Sequence, residues 1–214
     1  MISSPYTLSM KLYIADCHFF HQSLLNSMDM RPFSSVEEMN EVMIERWNSK
    51  VKTHDEVYIL GDFSMGSVEE SEKILMRLKG KLTLIVGNHD SFAKKKSFKA
   101  ERFRKITSYL ETSDNGRNVI LCHYPILFYN KQFSVDSEGN SKTFMLYGHV
   151  HDTFDEKLLN RFICEGKQEK RIMKDGEVKT TPFNLINCFS MFSNYTPLSL
   201  DEWIEFDKKR RSLL

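Results

Sequence analysis

Five of the seven histidines in this 214-residue chain, His18, His89, His123, His149 and His151, lie at the ends of short apolar runs, in company with Asp16, Asp62 and Asn88. Imidazole, carboxylate and carboxamide donors at such places suit a divalent ion of the Mn2+, Fe2+, Zn2+ or Ni2+ type. Thiolate is missing from the pattern. Cys17, Cys122, Cys164 and Cys188 form no C-x-x-C pair, which argues against structural zinc of the cysteine type. Two carboxylates (Asp16, Asp62), four imidazoles (His18, His123, His149, His151) and the Asn88 carbonyl are more than one ion usually takes from protein. They suit two ions sharing one carboxylate.

The apolar runs must bring these residues together. Lys11 to Asp16, Glu56 to Asp62, Lys81 to Asp90, Asn118 to Pro125, Thr143 to His151 and Phe183 to Phe189 have the length and composition of buried strands. Laid side by side, their C-terminal ends meet along one edge, where open α/β sheets bind ligands. If strand geometry continues to the motif residues, Asp16 and His18 share a face with Cys17 turned away, and His149 and His151 share a face with Val150 turned away. Capping boxes at Ser35/Glu38, Ser67/Glu70 and Ser199/Glu202 predict three helix starts, the first helix running to about Lys50 and the second stopping before Gly80. Strands alternating with helices predict an α/β fold. The later strands follow one another with less helix between, so the sheet is expected to be mixed and to split into two packed sheets. Asn130 to Ser141 and Asp155 to Pro182 read as loops, the second with a hairpin around Asp175-Gly176.

Composition sets the frame. Hydrophobic residues make up 41% and charged residues 28%, as in ordinary globular proteins, and the length suits a single domain over residues 1–214. A net charge of +1 provides no global field for nucleic acid or membrane, so such binding would need a local patch. Ser91 to Lys105 is one: seven basic residues, Lys94 to Lys96, Lys99, Arg102, Arg104 and Lys105, against Glu101. It reads either as a solvated helix face or as a steering surface for a polyanion. Met1 to Met10 has no basic start and no long apolar core, unlike a signal peptide. No run approaches the length of a membrane span. With unpaired cysteines, this leads to the expectation of a cytoplasmic protein; the oligomeric state stays open.

The succession D-x-H (Asp16, His18), G-D (Gly61, Asp62), G-N-H-D (Gly87 to Asp90), H (His123) and G-H-x-H (Gly148, His149, His151) resembles the calcineurin-like metallophosphoesterase superfamily. The additional D-x-H-F-x-H of Asp16 to His21 and the segment Arg31-Pro32-Phe33 resemble a small bacterial and phage branch of it. The resemblance implies a four-layer αββα sandwich, two mixed sheets flanked by helices, with a dinuclear centre at the strand C-terminal ends. It implies that Asp16, His18, Asp62 and His151 hold one ion and Asp62, Asn88, His123 and His149 the other, with Mn2+ favoured. His89 then faces substrate as the catalytic group and Asp90 orients it.

The activity so implied is hydrolysis of a phosphodiester, or a monoester, by a hydroxide bridging the two ions. The substrate would be a phosphate-ester small molecule or nucleotide. A nuclease and a metal-binding interaction module without turnover are the alternatives. Gly61 to Gly66 lacks the second Asp and the Arg of the G-D-x-x-D-R-G pattern of protein phosphatases, which argues against that substrate class. Substrate contacts are expected from Asn88, His21 and Arg31. His21 reads equally as a surface residue, and Arg31 as a phosphate fork or the partner of a carboxylate near the helix start.

Overall fold

The computed structural model describes residues 9–212; most of the stretch tested for a signal peptide lies outside them. In chain order the elements are β1 (Lys11–Ile14), α1 (Val36–Lys50), β2 (Glu56–Ile59), α2 (Val68–Arg77), β3 (Lys81–Ile85), β4 (Phe103–Thr107), β5 (Tyr109–Asp114), β6 (Arg117–Cys122), β7 (Thr143–Tyr147), α3 (Phe154–Gln168), β8 (Lys170–Ile172), β9 (Val178–Thr180), β10 (Leu185–Asn187) and α4 (Leu200–Arg211). β1 to β4 form one sheet in sequence order, parallel throughout. The second sheet has the order β10-β7-β6-β5 and is mixed, because β5 and β6 are joined antiparallel.

Strand alternation builds the layers. Leu12, Ile14, Val57, Ile59, Leu82 and Leu84 face outward from the first sheet onto Met39, Met43 and Trp47 of α1 and Ile74 and Leu75 of α2. The opposite face of the same strands, with Tyr13, Tyr58 and Ile85, meets Val119, Leu121, Leu146 and Ile186 of the second sheet. Ile120, Met145, Tyr147 and Leu185 form the far face of that sheet and pack on Ile163 of α3 and on Phe183. The result is an α/β fold of four layers, helix–sheet–sheet–helix. α4 closes its edge with Trp203, which is 0% exposed and donates its indole N–H to the Tyr13 carbonyl at 2.9 Å. Burying each of these large apolar side chains contributes about 1.5–3 kcal/mol. No helix among the described residues is long and apolar enough to cross a membrane.

The three capping serines start α1, α2 and α4, each accepting the N–H of the Glu three residues on. The region 155–182 differs from the expected loop: its first half is α3. The pattern misleads because the buried face of α3 sets polar Glu156 and Asn160 beside apolar Ile163. Phe154, Leu158 and Phe162 lie exposed, while Glu156 and Asn160 are buried, Glu156 accepting the Tyr147 hydroxyl at 2.9 Å and the Asn160 amide at 3.0 Å. A helix with polar groups inward shows no apolar stripe of the usual kind. The hairpin at Asp175-Gly176 is present as β8 and β9. The basic stretch 91–105 is not a helix face either; it forms two short 3-10 turns and enters β4.

Candidate metal centre

All the motif residues lie beyond the C-terminal ends of strands: Asp16 and His18 after β1, Asp62 after β2, Asn88 and His89 after β3, His123 after β6, His149 and His151 after β7. The strand pleat is not what aims them. Asp16, His18, Asp62, His149 and His151 have positive φ, at 54°, 52°, 52°, 73° and 48°. The backbone has left the extended region, and the expected face-sharing by alternation is replaced by left-handed turns. Such a conformation costs an L-residue about 1–2 kcal/mol, least for short polar types such as Asp and His. Hydrogen bonds between the loops hold it in place. Asp16 N–H donates to the Gly61 carbonyl at 3.0 Å, His18 N–H to the Asp62 carbonyl at 2.8 Å, and His149 N–H to Asp16 Oδ1 at 3.0 Å.

The motif glycines have a steric role. A Cβ at Gly148 would lie 2.6 Å from Asp16 Oδ2. One at Gly87 would overlap the Asp62 carboxylate, and one at Gly61, itself at φ +85°, the His123 ring. Each glycine therefore lets a backbone lie directly against a candidate ligand.

Two groups of donors result. Asp16, His18 and His151 bring ligand atoms within 4.8 Å of one another, as do Asp62, His123 and His149. Asp62 Oδ2 lies between them, 3.5 Å from His18 Nε2 and 3.5 Å from His123 Nε2. The Asn88 carbonyl oxygen lies 2.9 Å from His123 Nε2 and so joins the second group.

Burial controls the charge state. Asp16 is 0% exposed. Removal from water pushes its carboxyl up to about 7, although His151 and the His149 N–H pull the other way. Asp62 is raised by the same desolvation. Burial holds His18, His123 and His149 below the usual imidazole range, and neighbouring imidazoles push His18 and His149 in the same direction. Among the described residues, the ion-pair partners of both carboxylates are imidazoles. Neutral imidazoles with free lone pairs around desolvated acids fit divalent cations, which would supply the charge these acids lack.

His89 is exposed at the mouth, its ring centroid 5.5 Å from that of His18 and 6.2 Å from that of His21, while its N–H donates to Asp62 Oδ1 at 2.8 Å. His21 Nδ1 lies 3.2 Å from His18 Nδ1, so it touches a candidate ligand from behind.

Two expectations change. Asp90 is 0% exposed, and its oxygens accept three backbone N–H groups, those of Asp62 at 2.9 Å, Phe63 at 2.7 Å and Gly87 at 2.7 Å. It ties two ligand loops together and does not orient the His89 ring. Arg31 was expected to contact substrate but is 1% exposed, with Nε on Asp29 at 2.9 Å and its other nitrogens on the Cys17 and Asp16 carbonyls. The guanidinium is consumed inside the protein, which is the carboxylate pairing that sequence left open.

Asp29 and Tyr124 are features missed from sequence. Asp29 Oδ1 lies 2.7 Å from His151 Nδ1. Tyr124 is half exposed, its ring 4.6 Å from that of His149. Their only sequence signal is position, two residues before Arg31 and one after His123.

A model of the calcineurin-like phosphoesterase superfamily domain matches residues 12–181. An uncharacterised protein of Methanocaldococcus jannaschii is 34% identical over 202 residues, covering 93% of this chain and 92% of its own. The gene 66 protein of Mycobacterium phage L5 is 33% identical over 81 residues, 36% of this chain and 38% of its own. A crystal structure of an Aquifex aeolicus protein of unknown function superposes with a TM-score of 0.61 at 22% identity, covering 91% of this chain and 97% of its own.

Proposed function

The chain belongs to the calcineurin-like phosphoesterase superfamily, and on that premise we propose that it hydrolyses phosphodiester bonds, with monoesters as secondary substrates, using two divalent ions, Mn2+ by preference. The observation that carries this reading is the position of Asp62 Oδ2, equidistant at 3.5 Å from one imidazole of each donor group. A carboxylate so placed suits a bridge between neighbouring ions. Asp16, His18 and His151 would complete one coordination shell, and Asn88, His123 and His149 the other. Two such ions lower the pKa of water enough to supply a nucleophile near neutral pH and hold phosphate oxygens.

The chain's own groups do the rest. Only Asp16 and Asp62 among these ligands carry charge, so the centre keeps a positive excess that favours an anionic phosphate. His89, exposed beside His18, stands where a ring N–H can stabilise developing charge or protonate the leaving oxygen. His21 lines the same side. With its cysteines unpaired, the protein suits a reducing cytoplasmic setting.

The test is turnover of bis(p-nitrophenyl) phosphate by metal-stripped protein with and without added Mn2+, alongside elemental analysis. Metal-dependent turnover with two ions bound is expected. No turnover with Mn2+, Fe2+, Zn2+ or Ni2+ would leave an interaction module.

A nuclease is the second reading, favoured by one observation. Lys94, Lys95, Lys96, Lys99, Arg104 and Lys105 are exposed on the segment that follows His89. Cleavage of oligonucleotides should then fall steeply between about 50 and 200 mM salt. Equal rates at both would dismiss it.

A further inference from the structure

We infer that Asp29 and Arg31 are positioning residues that make the Asp16–His18–His151 half of the centre the tighter one, filled first and emptied last. The inference rests on the dinuclear reading and adds an order to it.

The two halves are backed differently. Behind the first, Asp29 Oδ1 accepts the His151 Nδ1–H at 2.7 Å, which leaves Nε2 free to face Asp16 Oδ1 at 3.8 Å. Asp29 Oδ2 accepts Arg31 Nε at 2.9 Å, and the guanidinium continues to the Cys17 carbonyl at 2.6 Å and the Asp16 carbonyl at 3.0 Å. A single ion pair thus grips both ligand loops of this half. The side chains of Arg31, Asp29 and His151 are 0%, 2% and 3% exposed. Ser190 Oγ also donates to the Asp16 carbonyl at 2.9 Å, and Asn187 to that of His151 at 2.9 Å.

Behind the second half, His123 Nδ1 donates to the Leu60 carbonyl at 2.8 Å, a neutral acceptor. Asn88 and His149 are exposed. A carboxylate behind an imidazole fixes its tautomer and raises its basicity toward a metal, and losing such a partner costs about 10–100-fold in affinity. Exposed ligands must also surrender rotamer freedom when they bind. A buried ion pair is weak evidence for stability in its own right, so the Asp29–Arg31 pair is better explained by what it holds.

The experiment is calorimetric titration of metal-stripped protein with Mn2+, comparing the parent with Asp29→Ala, Asp29→Asn and His149→Ala. The parent should bind two ions in a tight and a weak phase. Asp29→Ala should weaken the tight phase about 10–100-fold and leave the weak one in place. Asp29→Asn, which keeps an acceptor but no charge, should fall between, and it carries the same readout if the alanine variant does not fold. His149→Ala should remove the weak phase only. Two ions in the parent with an unchanged tight phase in both Asp29 variants, or equal weakening of both phases, would overturn this inference alone. One ion in the parent would overturn the dinuclear reading, and this inference with it.

Discussion

Asp90 Oδ2 accepts the backbone N–H of Asp62 at 2.9 Å, so the residue placed to bridge two ions is itself held by a carboxylate from the next loop. The same oxygen accepts Gly87 N–H, and Oδ1 accepts Phe63 N–H. Asp90→Ala would strand three buried donors at about 1–3 kcal/mol each. We expect a fall of roughly 3–9 kcal/mol in unfolding free energy, measured by urea denaturation, with loss of metal. Asp90→Asn keeps one acceptor oxygen and should fall less. A stable Asp90→Ala variant with full metal content and reduced turnover would return Asp90 to the orienting role first expected of it.

His89→Ala separates chemistry from metal binding. The ring is exposed and lies beyond both donor groups. Metal content by elemental analysis should match the parent, while kcat on the chromogenic diester should fall about 10²–10⁴-fold, the usual scale for a general acid. Turnover equal to the parent would remove His89 from the mechanism.

Gly87→Ala tests the steric role of a motif glycine. The added methyl group overlaps the Asp62 carboxylate and backbone, and neither can retreat, since Asp62 is gripped by Asp90 and His89. We expect a folded protein by circular dichroism whose Mn2+ affinity drops at least tenfold. Gly116→Ala is the control: a methyl group there sits at a left-handed φ of +77°, a strain Gly87 does not have, and meets no atom within 4 Å, so it should cost stability of about 1 kcal/mol and no metal affinity.

The legibility of the fold follows from where the signals lie. Buried strands such as Glu56–Ile59 announce themselves as apolar runs, and Ser67 with Glu70 forms the full capping box their spacing suggests. α3 was hidden because its buried face is mixed, with Glu156 and Asn160 beside Ile163 and Glu156 serving Tyr147. β4 and β5 were hidden because they lie at sheet edges and carry charge on exposed positions. At the site, the residues with chemistry could be named from their motif, but their aim could not. It depends on positive-φ turns at Asp16, Asp62 and His151, and on the distant Asp29, none of which has a periodic signature.

The pH dependence of metal binding follows from Asp16. Burial raises its folded pKa to about 7 in the metal-free protein, against an ordinary value of 3.8. Between those values the folded protein holds a proton that the unfolded chain has released. The metal-free fold therefore loses stability as pH rises through this window, and keeps the full contribution only below about 4. A cation must displace that proton. Mn2+ affinity should therefore rise about tenfold per pH unit up to about 7 and flatten above it, as far as Asp16 governs the binding. The lowered imidazoles of His18, His123 and His149 reinforce the plateau, because they are already neutral there. Calorimetry at several pH values, in buffers of different ionisation enthalpy, counts the protons released. About one proton per tight ion at pH 6 and none at pH 8.5 is the expected result, and release that is constant across that range would mean Asp16 is ionised before the metal arrives.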